Sequence, residues 1–426
     1  MGTLLYTFYV WLYKTGMKLV SPWNPAAKSW LAGRKQLLVR LRTALEGNAR
    51  PLVWMHCDSV GEFEQGQPLI EKLKSVYPGH RFLITFSNSL GYEAKRKEAA
   101  ASDVFYLPDD SSANARAFLD ISRPCLAFFL KYRHGFFYLQ EIKKRGVPAL
   151  LVCGDFPEGP AFSKWYGWAA RRMLSCFSHL FVQTAASRDK LAAFLDPGLI
   201  TIGGDTRFDR VVDIAARLEP IPVMEAFCPP GCPVIVAGST WEEDEEQLDH
   251  YANSHPEIKF ILAPYKWDQE RIRTLKKMFR RAVCFSEWEA GAAPVNGTGN
   301  QHASNVLIID HFGLLARLYR YASLCYVGGG FVDEGVHNVL EAAVYGKPVV
   351  FGPVIEDYHE AMALVDCGGG LVVDSALEVE DTFNRLLTSP EEYYACCRAA
   401  REYVLSNQGA TAKIIGYIQE KRLLTS

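Results

Sequence analysis

Residues 325–353 read CYVGGGFVDEGVHNVLEAAVYGKPVVFGP. A strand pattern over 322–327 enters three glycines, Gly328-Gly329-Gly330, and a helical pattern opens near Gly335. A second apolar run, 348–352, begins at Pro348. Strand, glycine turn, helix and strand in that order make a βαβ unit, whose strands pair in parallel. Glycines let the backbone approach a ligand closely, and a helix amino terminus offers free N–H groups and partial positive charge to a phosphate. Asn338 and Glu341, three apart, share a helix face. A carboxylate there accepts both hydrogen bonds of a ribose diol, and an Asn fixes the sugar or base. A glycine triplet alone is usually a tight turn. Joined to His337-Asn338 and Glu341, then Lys347-Pro348 and Phe351-Gly352-Pro353, it points to a nucleotide-sugar site.

The same alternation extends both ways. Strand patterns cover 51–57, 81–87, 103–107, 125–132, 148–153, 179–184 and 199–203 in the first half. In the second half they cover 233–238, 259–264, 282–286, 306–309, 322–327, 348–352 and 370–374. Helical patterns such as 64–76, 111–121, 136–145, 162–176 and 186–195 intervene. This is the signature of an α/β protein with parallel, doubly wound sheets. A chain of 426 residues suffices for two such domains, each with its own core. The alternation pauses over 217–232, rich in proline, which reads as a linker. The expected plan is a membrane-associated helix over 1–30, a Rossmann-like domain over 31–216, a second over 233–390, and a helical segment, 391–426, packing back. Ligands belong in the crevice facing the carboxyl ends of both sheets.

A net charge of −2 argues against a nucleic-acid partner. Eleven cysteines are scattered, several (Cys57, Cys125, Cys153, Cys325) in apolar runs where a thiol acts as a small hydrophobe. Cys228 and Cys232 have a zinc-like gap, but no second Cys/His pair follows, so neither a metal nor a disulfide framework is expected.

Residues 1–50 carry eight basic residues against one acid, Glu46. The opening MGTLLYTFYVWLYKTGMKLVSPW lacks the early positive charge of a secretory signal, and its uncharged run ends at Lys14, too short to span a bilayer. Tyr6, Phe8, Tyr9, Trp11, Tyr13 and Trp23 with basic flanks suit a helix lying in a membrane interface. The alternative is a helix covering a protein core. The basic excess favours the membrane, through anionic lipids.

The stretch MHCDSVGEFEQGQPLIEKL, from Met55, places Glu62 where strand 51–57 passes into a helix. A lone acid there complements the helix dipole. Facing a nucleotide-sugar site, it becomes a general base, since inverting sugar transfer needs a carboxylate to take the proton of the attacking hydroxyl. VIVAGSTWEEDEE supplies another strand-to-helix turn, Gly238-Ser239-Thr240, able to hold a phosphate or simply to cap a helix. In GGDTRFDRV, Arg207 either neutralises a leaving phosphate or forms an ion pair with Asp205 or Asp209.

These stretches, with SPWNPAAKSWLAGRKQ, FVQTAASRDKL and IDHFGLLARLYRYASLCYVGGGF, run in order over nearly the whole chain. Together they resemble the 3-deoxy-D-manno-octulosonic acid (Kdo) transferases, particularly the branch from Bacteroidetes-type bacteria. The resemblance implies a GT-B fold, two Rossmann-like domains facing a cleft, with an amino-terminal anchor at the cytoplasmic face of the inner membrane. It implies metal- and cofactor-free, inverting transfer of Kdo from CMP-Kdo to the 6′-hydroxyl of a lipid A precursor. Glu62 would be the base, Arg207 the stabiliser of the leaving CMP, and Asn338 and Glu341 the ribose grip. Pro264, Phe312 and Gly313 match further CMP contacts. The chain departs from the family at Arg133, where relatives carry a Glu regarded as a transition-state stabiliser, and at Pro157, Tyr265 and Leu314. The base and ribose grip remain, while the acceptor side differs. Another nucleotide-sugar donor, or a non-catalytic relative that binds nucleotide or membrane only, is the alternative.

Overall fold

The structure is a computed structural model that describes residues 2–47, 49–88, 92, 103–130, 135–156, 167–217, 219–291 and 304–425. The chain forms two compact units, Met1–Asp209 with Gly409–Ser426, and Arg210–Gln408.

The first unit holds β1 (Leu52–Cys57), β2 (Arg81–Phe86), β3 (Asp103–Tyr106), β4 (Pro124–Phe129), β5 (Ala149–Gly154), β6 (His179–Val182) and β7 (Ile200–Ile202). All pair in parallel, in the order β3-β2-β1-β4-β5-β6-β7. Helices cover both faces, so the central strands are mostly apolar, and every residue of β1 and β5 is buried. On one face the helix Val60–Val76 packs over Val53, Met55 and Phe128, joined by Ile414, Ile415 and Ile418 of the helix Ala410–Glu420. On the other, Trp54, Phe118, Phe129 and Tyr138 interlock. Removing a wholly buried ring such as Trp54 costs about 3–5 kcal/mol.

The helix Gly2–Val20 has two faces. Tyr6 donates to Asp110 at 2.5 Å and packs on Phe136, and Lys14 pairs with Asp109, so one face is fixed to the first unit. Phe8, Trp11, Leu12 and Leu19 recur at helical spacing on the exposed face, and Trp23 just beyond is 83% exposed. Among the described residues, no helix is long and apolar enough to cross a membrane.

The second unit holds β8 (Val234–Thr240), β9 (Lys259–Pro264), β10 (Ala282–Cys284), β11 (Val306–Ile308), β12 (Leu324–Val327), β13 (Val349–Phe351) and β14 (Gly370–Val372). They are parallel, ordered β10-β11-β9-β8-β12-β13-β14. Each expected strand segment thus contains a strand. The strand order reverses between β1 and β4 in one unit and between β8 and β12 in the other. In doubly wound sheets such a switch point opens a crevice at the carboxyl ends.

Three local features differ from the sequence reading. Within 217–232 a short helix forms at Pro222–Phe227, because Pro222 presets its first turn and Val223, Met224 and Phe227 find a core. The helix expected near Gly335 begins only at Leu340 and ends at Ala343. The backbone before it is engaged elsewhere, with Val336 N–H donating to Val354 and His337 N–H to Gly328. Of 391–426, the helix Pro390–Ser406 packs within the second unit, and only the chain from Gly409 joins the first. There Asp209 accepts the N–H groups of Gly409 and Thr411 at 2.5 and 2.6 Å, capping the last helix.

Candidate active site

In the first unit, Glu62 lies in the first turn of the helix that follows β1, at the switch point. It is 6% exposed. Ser59 caps the helix by accepting the Glu62 N–H, and a Glu62 oxygen accepts the Asp58 N–H at 2.6 Å. The carboxylate therefore has the local helix-start role, in a fixed position. Behind it runs a polar chain. Trp54 donates to Thr85 at 2.8 Å, Thr85 bonds His56 Nδ1 at 2.9 Å, and His56 Nε2 lies 3.3 Å from Asp58. This buried chain ties the strand ends to the turn that holds Glu62.

A cavity of about 350 Å³ lies beneath the first helix, walled by Tyr6, Val10, Tyr13 and Trp30 and by Asp58 and Ser87 at the ends of β1 and β2. Arg34 braces it, donating to the carbonyls of Ser87 and Leu107 and lying over Trp30. Burial pulls its guanidinium down to about 10, against the attraction of Asp109.

Arg207 opens the helix after β7, its Nε donating to buried Asp205 at 2.8 Å. The ion pair read as one alternative from sequence is thus present. Neighbouring Thr206 donates to the carbonyl of Gln65, which brings the helices bearing Arg207 and Glu62 together.

In the second unit the expected donor residues converge on the ends of β8, β9 and β12. Gly238 ends the tight part of β8, and Ser239 adopts φ 56°, a left-handed conformation that costs a non-glycine residue about 1–2 kcal/mol. Gly328 must be glycine, because a Cβ there would lie 2.5 Å from the Ser239 carbonyl. Gly330 crosses Gly352 just as closely. Asp244 joins the two turns: one oxygen accepts the N–H groups of Trp241 and Gly329 at 2.9 and 2.8 Å, the other the Tyr326 hydroxyl.

The Thr240 hydroxyl is committed to Glu245 at 2.8 Å rather than to a helix cap or open space. Burial pushes the Glu245 carboxyl up to about 7, opposed by the Thr240 bond and by Arg271. Asn338 precedes the short helix, accepting from Leu340 N–H while its amide faces Glu341 at 3.4 Å, so the pair does meet. Pro264 is buried at the end of β9. Phe312, 73% exposed beside Gly313, stacks on Trp267 at 5.0 Å. His337 receives a hydrogen bond from the Trp241 indole at 2.9 Å.

Sequence reading missed Asp244 and Trp241. The only signal for Asp244 was its place three residues after the helix start, shared with a run of other acids. Arg133 and Pro157 lie outside the described residues.

Residues 35–210 match the family described as 3-deoxy-D-manno-octulosonic-acid transferase (kdotransferase). The chain is 25% identical over 419 residues to the 3-deoxy-D-manno-octulosonic acid transferase of Bordetella pertussis, covering 93% of this chain and 94% of that one. It is 27% identical over 330 residues to the transferase of that name from Chlamydia trachomatis serovar A, covering 72% and 70%. The chain is thus similar to the Kdo transferases, over residues 35–210 by the family match and over most of its length by these relatives.

These likenesses support a glycosyltransferase. Among solved structures the chain is similar to UDP-GlcNAc 2-epimerase from Neisseria meningitidis bound to UDP-GlcNAc, with TM-score 0.60 and 15% identity over 87% of this chain and all of that one. At that identity the likeness shows the fold alone, which is GT-B.

Proposed function

We propose that this transferase moves Kdo, with inversion, from CMP-Kdo to the 6′-hydroxyl of a lipid A precursor at the cytoplasmic face of the inner membrane. The observation that carries the reading is the placing of Glu62. The Glu62 carboxylate is held by the N–H of Asp58, and Asp58 lines a cavity together with Tyr6, Tyr13 and Trp30, under a helix whose outer face is apolar. That arrangement suits an acceptor whose sugar is tethered to lipid, with the first helix lying in the interface and basic residues meeting anionic headgroups.

Glu62 takes the proton from the acceptor hydroxyl as it attacks C2 of Kdo, and the C2–O bond to phosphate breaks with CMP leaving. The departing phosphate is met by Arg207, oriented by Asp205, and by backbone N–H groups of the turns at Gly238–Thr240 and Gly330. Asn338 and Glu341, joined side by side, hold the ribose, and Pro264, Phe312 and Gly313 bound the base. A carboxylate near the reacting carbon also suits the developing oxocarbenium charge. No metal or cofactor enters this scheme.

Thermal-shift titration with CMP, UMP and GDP tests the donor. CMP should stabilise the protein most, and Glu341→Ala should reduce that stabilisation. Equal or greater stabilisation by UMP or GDP would assign another donor.

A further inference from the structure

The Trp241 indole and the His337 imidazole are coplanar within 6°, and the indole N–H meets His337 Nε2 at 2.9 Å. An indole nitrogen only donates, so the imidazole nitrogen facing it must carry a lone pair. The proton of a neutral ring then sits on Nδ1. Tyr265 lies over both rings, at 5.1 Å from Trp241 and 4.4 Å from His337, and holds them in one plane.

We propose that Trp241 is a positioning residue that fixes His337 as a neutral Nδ1–H donor, through which the site contacts an anionic group of the nucleotide. The anion contact rests on the donor reading above; the tautomer does not.

The surroundings agree. Burial lowers the His337 pKa, with Glu334 on the same loop opposing. Lys266 stands over the Trp241 and Tyr265 rings and disfavours a second cation. Asp244 lies beneath Gly329, against which the His337 ring packs. Glu334, Tyr265, Lys266 and Asp244 surround the pair, and Glu242, Glu243, Asp268 and Arg271 line the same hollow as Trp241. Protonating His337 would set two donors face to face across 2.9 Å, so the indole itself resists the imidazolium. A neutral donor gives the site a grip that stays constant through neutral pH.

The test is ¹⁵N-histidine NMR of the whole protein at pH 7, with His337 assigned by its loss in His337→Gln. The wild type should show a protonated Nδ1 and a bare Nε2, and Trp241→Phe, which keeps a stacking ring but removes the N–H, should move the proton toward Nε2. In parallel, CMP affinity is measured from pH 8 to pH 6, using the ratio of variant to wild-type Kd so that titration of CMP itself cancels. Once His337 can charge, the variant gains a charge-assisted bond at low pH, and that ratio should fall about fivefold. A bare Nδ1 or an imidazolium in the wild type overturns the proposal, as does a Trp241→Phe spectrum and Kd ratio that do not move. If CMP fails to bind the wild type, the donor reading and the anion contact fall together, and the spectrum still decides the tautomer.

Discussion

Glu62 and Asp244 are both buried carboxylates that accept backbone N–H groups at the start of a helix. Their expected consequences differ. Glu62→Gln keeps a hydrogen-bond acceptor for Asp58 but cannot take a proton, so turnover should fall by about two to four orders of magnitude. CMP affinity should stay close to wild type, because Glu62 is not among the proposed CMP contacts; steady-state kinetics with a CMP titration read both. Asp244→Ala should do the reverse to binding. It strands two buried N–H donors and the Tyr326 hydroxyl, each worth about 1–3 kcal/mol when unsatisfied, and lets the turns at Ser239 and Gly329 separate. A lower melting temperature with CMP binding weakened at least about tenfold is expected, and unchanged CMP binding would remove Asp244 from the donor site.

At the scale of elements, the first helix carries the membrane claim. Trp11 and Trp23 are exposed, so replacing both with Ser should leave the unfolding free energy within about 0.5 kcal/mol of wild type. Cosedimentation with vesicles containing anionic lipid should nevertheless drop sharply, and undiminished binding would refute an interfacial helix. The strands were legible because parallel strands buried on both faces are short apolar runs bounded by turns. The helix start after the glycine triplet was not, since Val336 and His337 find backbone partners at Val354 and Gly328, which no local pattern reveals. Asn338 and Glu341 were legible from their spacing, although Asn338 lies before the helix rather than on it. The Trp241–His337 bond joins residues 96 apart and was invisible. Asp244 was hidden among Glu242, Glu243 and Glu245, chemically equivalent until packing turns one of them beneath the glycines.

The whole molecule combines stability with chemistry at these same turns. Glu245 has its pKa raised to about 7 in the folded chain from an ordinary 4.5. The folded state therefore holds the proton more tightly than the unfolded one. Its contribution to stability is full below about pH 4.5 and is lost as pH rises through about 7. The melting temperature of wild type minus that of Glu245→Gln should accordingly fall between pH 5 and pH 8, and a rise would contradict the burial argument. The proposed base and leaving-group cation, Glu62 and Arg207, belong to the first unit, and the proposed ribose grip, Asn338 and Glu341, to the second. The most direct measurement supplies purified protein with freshly generated CMP-Kdo and tetraacyl lipid A precursor, and reads product mass for wild type and Glu62→Gln. The account predicts acceptor carrying added Kdo with the wild type and almost none with the variant. Wild-type protein that binds CMP yet adds no Kdo, or a variant that adds it at the wild-type rate, would contradict it.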